Sequence, residues 1–190
     1  MMRISTLLVY TALFFSFPCF ASPLWISNQE ESKITFISSY DGINFDGEFS
    51  RFYAEFFYDK NHSENRFLHA TVDVTSINTN SRDRDQAIAE QDWFYFSKFP
   101  QATFTSHSVN QLIDGSYNIS GIIQIRDQSK EISFPLVWKD SQNGNATANA
   151  TFELDRRDFN IGVGEWEQDE TIGFNVVVSI QLVFQQKSGH

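Results

Sequence analysis

Residues 117–138 read YNISGIIQIRDQSKEISFPLVW, and the fold turns on how that stretch is read. Tyr117, Ile119, Gly121, Ile123 and Ile125 recur at every second position, six polar residues follow, and Ile132, Phe134, Leu136 and Trp138 resume the same period. Side chains of an extended chain point alternately to opposite faces, so each run is a strand with one apolar face. Asp127-Gln128-Ser129 between them is the length of a hairpin turn.

The same period spreads in both directions. Toward the C-terminus it is carried by Ala146, Ala148, Ala150, Phe152 and Leu154, then by Phe174, Val176, Val178, Ile180, Leu182 and Phe184. Toward the N-terminus it returns in Thr103–Val109, in Leu68, Ala70, Val72 and Val74, and in Ile34 and Phe36. Residues 45–58, FDGEFSRFYAEFFY, change apolar phase from Phe45 and Phe49 to Phe52 and Phe56, which predicts a bulge or sharp bend. One stretch departs from alternation. RDRDQAIAEQD at 82–92 is rich in helix formers, with Asn80 or Ser81 as N-cap and Asp83 and Asp85 in the first turn, so a helical insertion is expected over about residues 81–97, ended by Pro100. The expected class is all-β: an eight-stranded antiparallel barrel, with a two-sheet sandwich as the alternative.

Composition narrows the chemistry. The 190 residues carry 14 basic and 24 acidic side chains, a net charge of −10, which lacks the clustered cations that nucleic-acid phosphates require. A single Cys, Cys19, can neither close an internal disulfide nor build a Cys-rich metal site. Residues 1–21, MMRISTLLVYTALFFSFPCFA, have one charge at Arg3, an apolar run, and small residues Cys19 and Ala21 before Ser22. That is the form of a cleaved secretory signal peptide; as a membrane anchor the run is short and broken by Ser, Thr and Pro. Residues 22–190 then form one exported domain that contains neither Cys nor Met.

Groups suited to catalysis are sparse. Of the histidines, His62 lies in a polar turn, His190 is the last residue, and His69 and His107 sit in strand-like segments without a second His at ligand spacing, so no metal site is expected. Glu30-Glu31 and Asp83/Asp85 suit capping and solubility better than acid–base work. The sequence has no Gly-x-Ser-x-Gly elbow or Gly-rich phosphate loop, and Gly162-Val163-Gly164 reads as a turn. Asn61, Asn118, Asn145 and Asn149 head Asn-x-Ser/Thr triplets, which matter only in a host that glycosylates them. No catalytic residue is assigned. The compositional excess is aromatic: 20 Phe, of which only Phe14, Phe15, Phe17 and Phe20 lie in the leader. Rings on the inward faces of a barrel line an apolar cavity.

An ordered set of short motifs runs along almost the whole of residues 22–190. Gly47-Glu48-Phe49-Ser50-Arg51-Phe52 comes first, then Ser76-Ile77-Asn78-Thr79, Arg84-Asp85, Asp92-Trp93-Phe94 and Phe99-Pro100-Gln101-Ala102-Thr103-Phe104-Thr105-Ser106. Tyr117 with Gly121, Ile125-Arg126 and Lys130 follow, then Leu154-Asp155-Arg156, Asp158-Phe159-Asn160-Ile161-Gly162 and Gly164-Glu165-Trp166. The set resembles the YceI-like family of exported lipid-binding proteins. Two departures stand out: Glu31-Ser32 occupies the place of a His-Ser pair found in many members, and a second His shortly after the first long strand is absent. Gly164-Glu165-Trp166 is similar to the subgroup found alone or fused to a b-type membrane cytochrome.

The resemblance implies a lipocalin-like barrel in the periplasm holding an isoprenoid chain, either a polyprenyl phosphate or an isoprenoid quinone, as carrier or reservoir. It implies no covalent cofactor, a role in membrane electron transfer or stress defence, and a b-type cytochrome as partner. The alternatives are an accessory factor or enzyme acting on such a lipid, with His107 or a carboxylate as acid–base group, and a ligand-free interaction module. Alternation and resemblance together place Phe36, Phe49, Phe52, Phe56, Trp93, Phe94, Phe104, Phe134, Trp138, Trp166 and Phe174 at the tunnel. Arg51, Arg84, Arg126 and Arg156 are the head-group candidates, although for Arg84-Asp85 a local ion pair fastening the helix to the barrel is the simpler reading.

Overall fold

The apolar alternation of the sequence becomes one curled antiparallel sheet. The structure, a computed structural model, describes residues 24–59, 62–141, 143–168 and 171–187, so the leader, Asn61 and His190 lie outside the described residues. In chain order the strands are β1 (Leu24–Ser27), β2 (Lys33–Tyr40), β3 (Ile43–Phe49), β4 (Phe52–Phe57), β5 (Phe67–Asp73) and β6 (Ile77–Asn78). After helix α1 (Arg82–Ile88) come β7 (Gln101–Gln111), β8 (Tyr117–Ile125), β9 (Gln128–Ser141), β10 (Asn145–Asp155) and β11 (Asn175–Lys187).

These eleven segments make eight lanes. β1 with β2, β3 with β4, and β5 with β6 are each one strand interrupted by a kink, and each lane pairs antiparallel with the next. β11 closes the ring by pairing with β1 through one half and β2 through the other. A closed sheet leaves no exposed edge along the ring, and eight strands enclose an interior wide enough for side chains or one slender ligand.

The kinks lie side by side and form a crease across three lanes. At each one the inward phase changes parity: Trp25 gives way to Ile34 and Phe36, Phe49 to Phe52, and Val74 to Ile77. Only the middle break, at Ser50-Arg51, is announced by the sequence pattern. Backbone N–H groups that lose ladder partners there are taken up by side-chain oxygens. The Ala54 N–H donates to Ser27 Oγ (2.9 Å), Arg51 N–H to Ser76 Oγ (3.0 Å) and Val183 N–H to Ser32 Oγ (2.9 Å). A bulge in β7 leaves His107 unpaired and turns it outward, while Ser106 points in and accepts from the Leu68 N–H at 2.8 Å.

The ends of the barrel differ. The β4–β5, β7–β8 and β9–β10 loops and both terminal strand ends gather at one end; the β2–β3 and β8–β9 turns, α1, and the 156–174 connection gather at the other. α1 is shorter than the expected 81–97: after Ile88 the chain runs through turns held by bonds such as Trp93 N–H to Glu90 O and Phe94 N–H to Ile88 O, with Tyr95 left-handed at φ 54°. Ser81 is the N-cap, accepting from Arg84 N–H. At this same end β9 and β10 part, because their ladder stops at the Leu136–Ala150 pair. The next residue is Pro135, which has no N–H to continue it.

Candidate functional site

The inward faces enclose a cavity of about 510 Å³. Its depth is lined by hydrocarbon: Ile34 and Phe36 from β2, Phe56 from β4, Leu68 and Val72 from β5, Phe104 from β7, Ile119 and Ile123 from β8, Phe134 from β9, Phe152 from β10 and Val176 to Phe184 from β11. The polar lining residues, Ser38, Tyr40, Ser81, Asp83, Arg84, Thr103 and Arg156, all belong to the α1 end, so the cavity is apolar in depth and polar at its rim. Phe134 stacks on Phe152 with centroids 4.6 Å apart and meets Phe104 at 5.4 Å. The Phe134–Phe152 contact bridges the gap where β9 and β10 have parted. Phe36 lies over its register partner Gly47, where an added Cβ would come within 2.3 Å of the ring, so the shape of this wall depends on that glycine.

At the end away from α1 the cavity stops against rings. Trp138 packs on Trp25 (5.4 Å) and Phe56 (5.0 Å) edge-to-face, a favoured arrangement for aromatic quadrupoles, and on Tyr58 (5.7 Å) and Phe184 (5.4 Å) at a tilt. Its register partner Ala148 and neighbouring Ala146 leave the room it occupies. Beside this layer the Tyr58 and Tyr117 hydroxyls are 2.7 Å apart under the Arg66 guanidinium, which covers both rings. Burial, reinforced by the Tyr58 hydroxyl, pushes the Tyr117 phenol up to about 12. The indole N–H groups of Trp25 and Trp138 are buried without a hydrogen-bond partner, which marks the layer as apolar packing.

The α1 end is held together by arginines. Arg156, 3% exposed, donates from Nε to Gly173 O, from Nη1 to Ile161 O and Gly162 O, and from Nη2 to Trp166 O and Ile172 O. Its charge is thus solvated by backbone carbonyls, which ties Ile161, Gly162, Trp166, Ile172 and Gly173 together, and burial pulls its pKa below the ordinary guanidinium value. Gly162 sits at φ +71° with Arg156 Nη1 2.5 Å from where a Cβ would stand, so both conformation and space require glycine. Arg84 donates to Thr79 Oγ1 (2.9 Å) and Thr79 O (2.7 Å), and Thr79 Oγ1 donates in turn to Asp85 at 2.6 Å. Arg126 reaches the carbonyls of Trp93 and Asn160.

Of the eleven rings placed at the tunnel by sequence, eight line the cavity: Phe36, Phe49, Phe56, Trp93, Phe94, Phe104, Phe134 and Trp166. Trp93 and Trp166 meet at 5.7 Å on the rim. Three lie elsewhere. Phe52 is buried beside the crease opposite Val72, Trp138 forms the layer behind the cavity, and Phe174 is held between Arg157 (3.8 Å) and Arg156 (5.2 Å). Alternation gives the facing of a residue but not its depth along the barrel, which misplaces Trp138, and it does not hold across the break at Ser50-Arg51, beside which Phe52 lies. Among the arginines, Arg84 and Arg156 border the cavity. Arg51 is outside, bonded to Asp73 (2.8 Å) and Thr75 (2.9 Å), and Arg126 binds loop carbonyls. The expected Arg84–Asp85 ion pair is replaced by a relay through Thr79, a buried residue that the sequence shows as part of the Ser76-Ile77-Asn78-Thr79 motif but without this role. Trp25, Tyr58 and Arg66 were missed as well; Tyr58 continues the Phe52, Ala54, Phe56 phase and was legible on that ground.

His107 pairs with Glu131 at 3.1 Å on the outer face, and His62 with Asp59 at 3.0 Å in the β4–β5 loop. Neither histidine borders the cavity. Among the described residues no group of three or more His, Cys, Asp or Glu is placed to hold a metal, and no helix is long and apolar enough to cross a membrane.

Residues 25–184 match the family model of the YceI-like domain. A UPF0312 protein of Vibrio vulnificus is 32% identical over 138 residues, 70% of this chain and 73% of that protein. Protein YceI of Escherichia coli is 32% identical over 88 residues, 46% of this chain and 45% of that protein. Among solved structures, BcnA of Burkholderia cenocepacia superposes with a TM-score of 0.78 at 24% identity, covering 83% of this chain and 98% of BcnA. A polyisoprenoid-binding domain of Saccharophagus degradans, implicated in plant cell wall breakdown, superposes with a TM-score of 0.70 at 13% identity, covering 86% of this chain and 98% of that domain. With its eight-lane barrel and a family match across nearly all of the described residues, the chain belongs to the YceI-like family.

Proposed function

We propose that this protein binds an isoprenoid lipid, with the chain in the apolar depth of the barrel and the head group at the α1 rim, and serves as a periplasmic carrier or reservoir. The observation that carries the reading is the cavity itself: about 510 Å³, hydrocarbon in depth and polar only at the rim. Transfer of a branched hydrocarbon from water into such a space gains roughly 25 cal/mol per Å² buried. The polyisoprenoid-binding domain of Saccharophagus degradans, with the same fold, supports this ligand class. The leader pattern of residues 1–21 supports export.

The rim favours a neutral head group of the quinone kind over a polyprenyl phosphate. Arg156 spends its N–H donors on carbonyls, Arg84 is engaged with Thr79, and Asp83 adds a carboxylate to the lining. A net charge of −10 works in the same direction. A quinone cargo fits service to membrane electron transfer, with a b-type cytochrome as the exchanging partner. Carriage is favoured over catalysis because the His107–Glu131 pair faces outward and, among the described residues, no histidine reaches the cavity.

Native mass spectrometry of the exported protein, followed by organic extraction, tests the reading. The expected result is an adduct of several hundred daltons that partitions into solvent and absorbs as a quinone. A protein that is recovered empty and takes up neither isoprenoid quinones nor polyprenols overturns it.

A further inference from the structure

The lining ends at one level on lane after lane. On β4 it reaches Phe56 and stops before Tyr58; on β8 it reaches Ile119 and stops before Tyr117; on β9 it reaches Leu136 and stops before Trp138; on β10 it reaches Ala148 and stops before Ala146. A cavity that ends in one plane has a floor. Trp138 is its keystone: from β9 it reaches across the barrel to rings on the neighbouring lanes β11, β1 and β4, packing on Phe184, Trp25, Phe56 and, just past β4, Tyr58. Next to it lie the Tyr58–Tyr117 hydroxyl pair and Arg66, and then the loops of that end.

We infer that Trp138 sets the length of hydrocarbon tail the protein accepts. This rests on the binding reading above and deepens it. A tail entering from the rim runs down the axis until its end meets Phe56, Leu136 and Phe184, the last lining residues, two of which the indole backs directly. A longer tail leaves methylenes or its head group outside, losing burial with each added unit. The floor resists displacement because close-packed interiors yield little, and pushing Trp138 aside would break four ring contacts at once. Replacing the indole by a methyl joins its volume to the existing cavity, whereas enlarging Ala148, the small residue opposite, raises the floor.

The test offers the protein an equimolar ladder of isoprenoid alcohols rising by one isoprene unit, and in parallel a ladder of straight-chain alcohols, with occupancy read by native mass spectrometry. For the wild type, occupancy is expected to fall sharply above one chain length. Trp138→Ala is expected to move that limit up by at least one unit and Ala148→Leu to move it down; Phe174→Ala, whose ring lies away from the cavity, leaves it in place. An unmoved limit in the folded variants, or an equal shift in Phe174→Ala, overturns the proposal. If Trp138→Ala does not fold, Ala148→Leu decides alone. A wild type that takes straight chains with a cut-off but refuses isoprenoids rejects the isoprenoid reading and leaves the length limit to be judged on the straight chains; a wild type that takes neither rejects both.

Discussion

The two ends of the barrel hold themselves together by opposite chemistry. At the floor, rings from β1, β4, β9 and β11 pack on one another while the strands around them remain hydrogen-bonded. At the rim β9 and β10 have separated, and the irregular chain that follows Arg156 has no ladder, so that buried guanidinium supplies donors to its carbonyls. A ring layer excludes anything that enters, whereas a guanidinium tied to carbonyls lets a loop stand open without leaving buried acceptors bare. The difference gives the barrel one closed end and one mouth.

The largest expected effect breaks the floor. Phe184→Ala removes a fully buried ring that supports Trp138 and is expected to cost about 3–5 kcal/mol by urea denaturation, since the close packing around it cannot collapse. A loss under about 1 kcal/mol would show that the layer is looser than its contacts imply. Next comes the rim. Arg156→Met keeps much of the volume but strips the carbonyls of their donor, and we expect a loss of about 2–4 kcal/mol together with new proteolytic cleavage between residues 156 and 172. Arg156→Lys is not expected to rescue it, because an ammonium cannot fork across several carbonyls. Protection equal to wild type would mean the connection is held by other contacts.

Gly47→Ala probes the wall between the two ends. The new methyl must displace Phe36, at a cost of about 1–3 kcal/mol for an overfilled site, and it is expected to lower lipid occupancy by pushing the ring into the cavity. Full occupancy with unchanged melting would mean that the ring moves away at no cost. The smallest effect is electrostatic and belongs to the floor. Burial raises the Tyr117 phenol from 10.0 to about 12, so the folded state favours the protonated form relative to the unfolded chain. That contribution is intact below about pH 10 and is lost as the pH rises through about 12. Ultraviolet titration is expected to show one late-ionising tyrosine, brought earlier by Tyr58→Phe; ionisation of all tyrosines together near 10 would contradict the buried hydroxyl pair.

Most of the barrel was legible because its walls obey one rule, inward apolar residues at period two, and all seven runs read from the sequence fall on strands, with only Val74 and Phe174 at their ends lying just outside. The crease was only one-third legible. The phase change at Ser50-Arg51 shows because large rings flank it on both sides, whereas the breaks after Ser27 and Asp73 fall among small and polar residues that carry no phase. The rim resisted for a related reason. Arg156 looked like a head-group ligand because its partners are backbone carbonyls, and no side chain in the sequence advertises them. Trp138 reads as lining because period two cannot distinguish the last residue of a cavity from the first residue of the layer behind it.

In the proposed complex the cavity holds an isoprenoid with its tail on the floor. Photo-crosslinking tests it most directly, using an isoprenoid alcohol that carries a diazirine at the end of the tail, with adducts mapped by peptide mass spectrometry. The account predicts labelling of Phe56, Leu136 and Phe184, the last lining residues before the ring layer. Labelling confined to Tyr40 and Trp166 at the rim, or to Ile37 and Ile122 on the outer face, would contradict it.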